Sequence, residues 1–215
     1  MKLYYMPIST YSQKTLIAFY EKGVAFTPQI VLPMDPPEAK AAYLKINPLG
    51  KVPTLVLDDG HIIPESTTII EYLEDHHGAS GTRLIPEGSK DRARQTRFFD
   101  RQCDLYLNNT MQTIFFDGRK PADQRNPAGV AAARKTIDIM YPMFDEHMAK
   151  RTWMMGDDFS MADCAAAPCL AYLRMIQPFE QHKHLSAYAA RLMERPSFAR
   201  VLSDAAPYMA KMMAG

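Results

Sequence analysis

Pro53 stands at the mouth of the apolar run Thr54 to Leu57, inside the segment Asn47-Pro-Leu-Gly-Lys-Val-Pro-Thr-Leu55. That residue limits what the chain can fold into. A proline has no N–H to give to a sheet ladder, so the run cannot extend back through it as a central strand. A cis Val52–Pro53 bond in a tight bend just before the strand satisfies this constraint. Such a bend turns the Val52 amide and carbonyl away from the sheet, where another peptide can pair with them. Taken alone, the segment is equally compatible with a loop proline at a strand start.

Around this bend the first eighty or so residues alternate strand and helix signals. Lys2 to Met6 reads as an aromatic strand. Ser12 to Lys22 reads as a helix, with Leu16, Ile17, Phe19 and Tyr20 as its apolar face and Gly23 as its stop. Phe26 to Leu32 reads as a second strand, which Pro28 marks as an edge strand. A loop over Pro33 to Pro37 leads to a helix over Glu38 to Ile46. Thr54 to Leu57 and His61 to Ile63 flank Asp58-Asp59-Gly60, a hairpin signal. Ser66 to His76 reads as a helix. The order, strand-helix-strand-helix-hairpin-helix, predicts a small mixed sheet covered by helices.

The pattern then breaks. Gly78, Ser80, Gly81, Pro86 and Gly88 make a linker, and only helical signals follow Ser89. They run over Lys90 to Phe116, Ala128 to Met148, Ser160 to Met175, His184 to Glu194 and Pro196 to Tyr208. The expected division is therefore 1–78, a linker over 79–88, and an all-α domain over 89–215. Met209 to Gly215 is expected to be a frayed end or a lid over an apolar pocket.

Composition narrows the function classes. A formal net charge of +1 over 215 residues, with no long run of one sign, gives no electrostatic case for nucleic acid. Every long apolar stretch is interrupted by a charge or a proline, so no membrane span is expected. The start, Met1-Lys2-Leu3-Tyr4-Tyr5, lacks the layout of a secretory signal, and the three cysteines form no Cys-x-x-Cys. A reducing, cytoplasmic setting fits. His76-His77 and His182-x-His184 read as surface helix ends, and no metal site is expected.

Three local constellations carry chemistry. Pro7 to Lys14 places the hydroxyls of Ser9, Thr10, Tyr11 and Ser12 where the first strand meets the first helix. A helix N-terminus there offers free N–H groups and partial positive charge, suited to an anion such as a thiolate. An ordinary N-cap explains the same residues. Pro64-Glu65-Ser66 opens the next helix, with Ser66 as the expected N-cap. A hydroxyl and first-turn amides suit a carboxylate, and Glu65 suits an ammonium group. Together they complement the two ends of an α-amino acid. Finally, Ser160 and Asp163 form a Ser-x-x-Asp capping box, a folding signal.

In this order the features resemble the cytosolic glutathione transferase family across essentially the whole chain. The resemblance implies a thioredoxin-like α/β N-terminal domain (βαβαββα) that binds glutathione. It also implies an all-α C-terminal domain for an apolar electrophile, and a homodimer. By this resemblance Val52 pairs its backbone with the cysteinyl part of glutathione beside a cis Pro53, and Glu65 and Ser66 hold the γ-glutamyl end. Lys51 is a candidate for the glycyl carboxylate. Asp100, or Asp104 one turn on, is the acidic residue that reaches the γ-glutamyl amine across the dimer. Ser9 is the expected thiol-activating residue, with Thr10, Tyr5, Tyr11 and Ser12 as alternatives. No cysteine lies in that segment, which disfavours members that form a mixed disulfide. Met34, Tyr106, Met111, Phe115 and Tyr172 are the expected apolar-pocket residues. Conjugation, a glutathione-dependent isomerisation or dehalogenation, and a non-catalytic module are the competing functions.

Overall fold

The structure is a computed structural model that describes residues 1–214, with side chains described as far as Lys211. Its first part runs β1 (Lys2–Tyr5), α1 (Thr10–Lys22), β2 (Thr27–Ile30), α2 (Pro37–Ile46), β3 (Thr54–Val56), β4 (Ile62–Pro64) and α3 (Ser66–His77). This is the expected βαβαββα order, with shorter strands. Helices follow: α4 (Lys90–Gln102), a π-helical stretch (Cys103–Asn108), α5 (Asn109–Asp117), α6 (Pro127–Met148), α7 (Met161–Ile176), α8 (Lys183–Glu194) and α9 (Pro196–Ala214). Most of the segment expected to be a frayed end or lid is therefore helical, and position 215 lies outside the described residues.

The sheet has the order β2-β1-β3-β4. β1 pairs parallel with β2 and antiparallel with β3, and β3 pairs antiparallel with β4. Pro28 sits on the edge strand β2, where a missing N–H is tolerated. The row Leu3–Leu55–Ile63 crosses three strands in register and is buried. Tyr4 points to the other face, where its ring stacks on Tyr43 of α2 at 5.5 Å. The next row, Tyr4–Thr54–Pro64, brings the end of β1, the start of β3 and the end of β4 to one end of the sheet.

The chain forms two compact units, residues 1–84 together with α9, and Ile85–Arg195. The sequence grouped α9 with the helical half. In the structure it packs on α1: the Arg200 guanidinium lies 4.1 Å from the Tyr20 ring centroid, and Tyr20 Oη donates to Asp204 at 3.2 Å. Glu21 joins two further segments, accepting from Thr82 Oγ1 at 2.6 Å and Ser197 Oγ at 2.5 Å. Gly81 makes this approach possible, since a Cβ there would lie 2.1 Å from the Glu21 carbonyl oxygen.

In the helical unit the single helix expected over Lys90 to Phe116 is interrupted by the π-helical stretch. At its end Thr110 Oγ1 donates to the Tyr106 and Leu107 carbonyls at 2.5 and 2.8 Å. Such competition for helix carbonyls leaves no mark on hydrophobic periodicity. The capping box is present: Asp163 Oδ2 accepts from the Ser160 amide at 2.9 Å and from its hydroxyl at 2.8 Å. Asp163 Oδ1 also accepts from the Met154 amide at 2.8 Å and Tyr188 Oη at 2.7 Å. Burial raises the pKa of this carboxyl, and the four bonds oppose the rise. Phe159 packs edge-on against Trp153 at 5.2 Å and under the Arg195 guanidinium.

Unit one also holds a charge pair that sequence periodicity does not reveal. Lys22 Nζ lies 2.8 Å from Glu74 Oε1, and both side chains are almost wholly buried. Glu74 also accepts from the Leu84 amide at 2.8 Å and from Arg83 at 3.3 Å, while Lys22 donates to the Gly78 carbonyl at 3.3 Å. The ends of α1 and α3 are thus tied to the segment that leaves the sheet domain. Glu74→Ala is expected to leave a buried ammonium and a buried amide without their partner and to cost about 3–5 kcal/mol. Urea denaturation measures this, and a loss below about 1 kcal/mol would show that water compensates.

Candidate functional site

The site forms where the three strand ends of the Tyr4–Thr54–Pro64 row meet the starts of α1 and α3. The Val52–Pro53 peptide is cis, as expected. The motif before it acts as a clamp. Asn47 Nδ2 donates to the Lys51 carbonyl at 2.9 Å and to Thr54 Oγ1 at 3.0 Å, and Tyr43 Oη donates to the same carbonyl. Gly50, at φ 63°, closes the turn with its amide on the Asn47 carbonyl at 2.9 Å. Burial raises the Tyr43 pKa, so the phenol stays a donor. With Lys51 held on one side and Thr54 in the sheet on the other, the Val52 N–H and C=O have no hydrogen-bond partner among the described residues.

At the start of α1, Ser9 is the N-cap, and its Oγ accepts from the Ser12 amide at 3.4 Å. Its own O–H proton has no acceptor among the described residues. Ser12 differs: it is fully buried and its Oγ accepts the Met6 amide at 3.2 Å. Thr10 is buried in the first turn, and Tyr11 is half-buried. Tyr5 packs edge-on against Phe26 at 6.4 Å. Burial, with Asp204 and Tyr208 of α9 nearby, raises its pKa and keeps the phenol protonated.

At the start of α3, Glu65 occupies the N-cap position and Ser66 is the first helical residue. This corrects the expected cap by one position, and no side chain caps the helix. Glu65 is the one described non-glycine residue with positive φ, at 71°. Such backbone costs about 1–3 kcal/mol and concentrates at functional sites. The Glu65 carboxylate is exposed, and Ser66 Oγ, in a residue only 4% exposed, makes no hydrogen bond among the described residues. α1 and α3 are also joined by Lys14, whose Nζ donates to Thr67 Oγ1 at 2.8 Å.

The remaining candidates fall elsewhere. Lys51 is exposed beside the clamp, and Met34 is exposed in the loop before α2. In the helical unit, Asp100 and Asp104 are buried, and the Asp104 charge acts on Cys169 of α7. Phe115 and Tyr172 form an edge-on pair at 6.4 Å, with the Arg119 guanidinium 3.6 Å from the Phe115 centroid. Burial pushes the Tyr172 pKa up to about 12. Met111 is buried, and Tyr106 is half exposed. Asn47, Tyr43 and Lys14 were missed as site residues. Asn47 lay inside the opening motif, and its place one residue before a proline was its only signal.

Among the described residues no helix is long and apolar enough to cross a membrane. Comparison with known proteins gives a consistent result. Residues 3–81 match the family described as "Glutathione S-transferase, N-terminal domain", and residues 106–196 match "Glutathione S-transferase, C-terminal domain". Glutathione S-transferase GstB of Escherichia coli is 30% identical over 165 residues, covering 75% of this chain and 78% of its own. A stringent starvation protein A homolog of Coxiella burnetii is 28% identical, covering 95% of this chain and 92% of its own. A glutathione S-transferase of Methylobacillus flagellatus, solved with glutathione bound, superposes with a TM-score of 0.83 at 27% identity. That match covers 93% of this chain and 98% of the other, so the thioredoxin-like and helical architectures are both shared.

The backbone at Glu65 gives a test independent of ligand. Glu65→Gly and Glu65→Ala remove the same carboxylate, but only glycine relieves the positive φ. The glycine variant is expected to be more stable than the alanine variant by about 1 kcal/mol. Equal denaturation midpoints would show that this backbone carries no strain.

Proposed function

The chain belongs to the glutathione S-transferase family, and we propose that it holds glutathione at the end of its sheet and adds the thiolate to an apolar electrophile. One observation carries this reading. Five polar groups from three separate segments are open at the same end of the sheet: the Val52 N–H and C=O, the Ser9 hydroxyl, the Glu65 carboxylate and the Ser66 hydroxyl. Polar groups near a folded surface are ordinarily paired within the protein or to water, and this set complements one peptide with an ammonium, a carboxylate and a thiol. Val52 pairs with the cysteinyl backbone. Glu65 takes the γ-glutamyl ammonium, and Ser66 with the first-turn amides of α3 takes its carboxylate. Lys51, exposed beside the clamp, takes the glycyl carboxylate. The structure of the Methylobacillus flagellatus relative with glutathione bound supports the same ligand.

Ser9 acts as a donor and not as a nucleophile. A free thiol titrates near about 8.5, and lowering that by about two units needs roughly 3 kcal/mol of preference for the anion. A hydrogen bond to the thiolate contributes about 1.5–3 kcal/mol, and the start of α1 adds about 0.3–1 kcal/mol. Ser12 is fully buried, out of a ligand's reach, and Tyr5 packs against Phe26 with Asp204 and Tyr208 of α9 nearby. In the helical unit, Phe115 and Tyr172 are the aromatic pair proposed for the electrophile. Phe98, exposed on α4, and Leu105 in the π-helical stretch supply apolar surface for the homodimer.

A second reading keeps the site and changes the outcome to isomerisation or dehalogenation, which the adjacent hydroxyls of Ser9 and Thr10 support. The Coxiella burnetii relative bears a name other than transferase, which favours testing for a non-catalytic module as well. Turnover of a panel of halogenated aromatics and cis-dienoic acids separates these outcomes, and a module turns over none of them.

The thiolate is lost as pH falls through the lowered thiol pKa, so the rate is expected to drop on the acid side. Ser9→Ala should move that acid limb upward, towards about 8.5, and lower kcat/KM near neutral pH by roughly 10- to 100-fold. Tyr5→Phe should leave the limb in place. An unchanged pH profile in Ser9→Ala would remove Ser9 from the mechanism.

A further inference from the structure

Arg119 follows α5 and lies against the aromatic pair proposed for the electrophile. Its guanidinium carbon is 3.6 Å from the Phe115 ring centroid, close enough to stack on the ring. Tyr172 meets the same ring edge-on at 6.4 Å. Burial pushes the Tyr172 pKa up to about 12 while the Arg119 charge opposes the rise, so the cation acts on the phenol as well as on the ring. Its neighbours along the chain are engaged with one another. Asp117 accepts from Lys120 Nζ at 3.0 Å and from the Asn126 amide at 2.9 Å. Arg125 donates to the Lys120 and Gly118 carbonyls at 3.1 and 3.4 Å. Arg119 stands outside that network. Its side chain is exposed at the surface and makes one hydrogen bond among the described residues, a long one of 3.4 Å from Nη1 to the Phe115 carbonyl. Most of its N–H donors are therefore open to a ligand.

We propose that the electrophile carries a carboxylate, and that Arg119 selects it by holding that carboxylate while Phe115 and Tyr172 pack the apolar body. This rests on the reading above, in which the aromatic pair takes the electrophile of a glutathione transferase. A guanidinium stacked on a ring has its plane fixed, and its N–H edge matches a carboxylate at two points. Arg119, Lys120 and Arg125 also outnumber Asp117 and Asp123 in this turn, so the local potential favours an anion. A halogenated aromatic acid fits the step. The glutathione sulfur bonds to the ring carbon, and the halide leaves with the electron pair of the broken bond. The carboxylate is unchanged by the reaction, so Arg119 sets specificity and touches no reacting atom. An arginine that only braced the end of α5 through its ring contact would treat charged and neutral electrophiles alike.

The test uses the full chain with glutathione and two electrophiles, chloronitrobenzoate and chloronitrobenzamide, a neutral counterpart of nearly the same shape. Wild type, Arg119→Gln and Arg119→Lys are compared, with thermal unfolding and calorimetric glutathione binding in parallel. Arg119→Gln is expected to lower kcat/KM for the acid about tenfold, in KM more than in kcat, and for the amide less than about twofold. Arg119→Lys keeps the charge without the planar fork and should fall between the two. The preference of wild type for the acid should shrink as salt is raised. Equal changes for acid and amide, no change for either, or wild-type turnover of the amide alone would overturn the inference and leave the transferase reading intact. Wild type that binds glutathione but turns over neither compound would overturn it as well. Wild type that does not bind glutathione would instead overturn the transferase reading, and this inference with it.

Discussion

The register of one sheet row governs this protein. Tyr4, Thr54 and Pro64 lie side by side, and that alignment decides which chain ends meet. The loop into α1, the Val52–Pro53 bend and the start of α3 converge only because β1, β3 and β4 stop together. Slipping β3 by one residue would turn Leu55 out of the core and carry Val52 away from its neighbours. The buried row Leu3–Leu55–Ile63 opposes that slip, since all three side chains lose their environment together. A hydrophobic constraint in the sheet thereby positions a polar site that shares none of its atoms.

Two kinds of polar group surround that sheet, and they behave oppositely. Glu74, Lys22 and Glu21 are held in hydrogen-bonded networks away from the site. They fix geometry, since a buried charge with satisfied partners tolerates few alternative arrangements. The groups at the end of the sheet are open or strained, and Glu65 holds a backbone conformation that the local sequence does not favour. These networks brace the helix ends far from the site, and this permits the near ends to remain unsatisfied.

Sequence reasoning reached the order of elements along the first part of the chain, the edge position of β2, the cis bend and the Ser160–Asp163 cap, because each rests on a local rule about proline, hairpins or helix starts. It extended one helix through Cys103–Asn108, since a π-helical stretch keeps the apolar pattern while changing the hydrogen bonds beneath it. It set α9 with the helices that precede it in the chain, because the partners of α9, Glu21 and Tyr20, lie more than 170 residues earlier. Lys14 and Lys22 were invisible for a related reason: a lysine in an amphipathic helix reads as solvated unless its buried partner is known.

Ser9 and Ser12 show why site residues need the structure even when the motif is correct. They are the same residue type, three positions apart, at the same helix start. Each accepts one backbone N–H, so chemistry and spacing do not separate them. Burial and connectivity do. Ser12 is sealed against solvent, so no ligand reaches its hydroxyl. Ser9 accepts a long bond and retains a proton to donate, at a position the solvent can reach. A hydroxyl stabilises a thiolate only if its proton is free to point at the sulfur, and among the serines of this segment Ser9 alone combines that freedom with access.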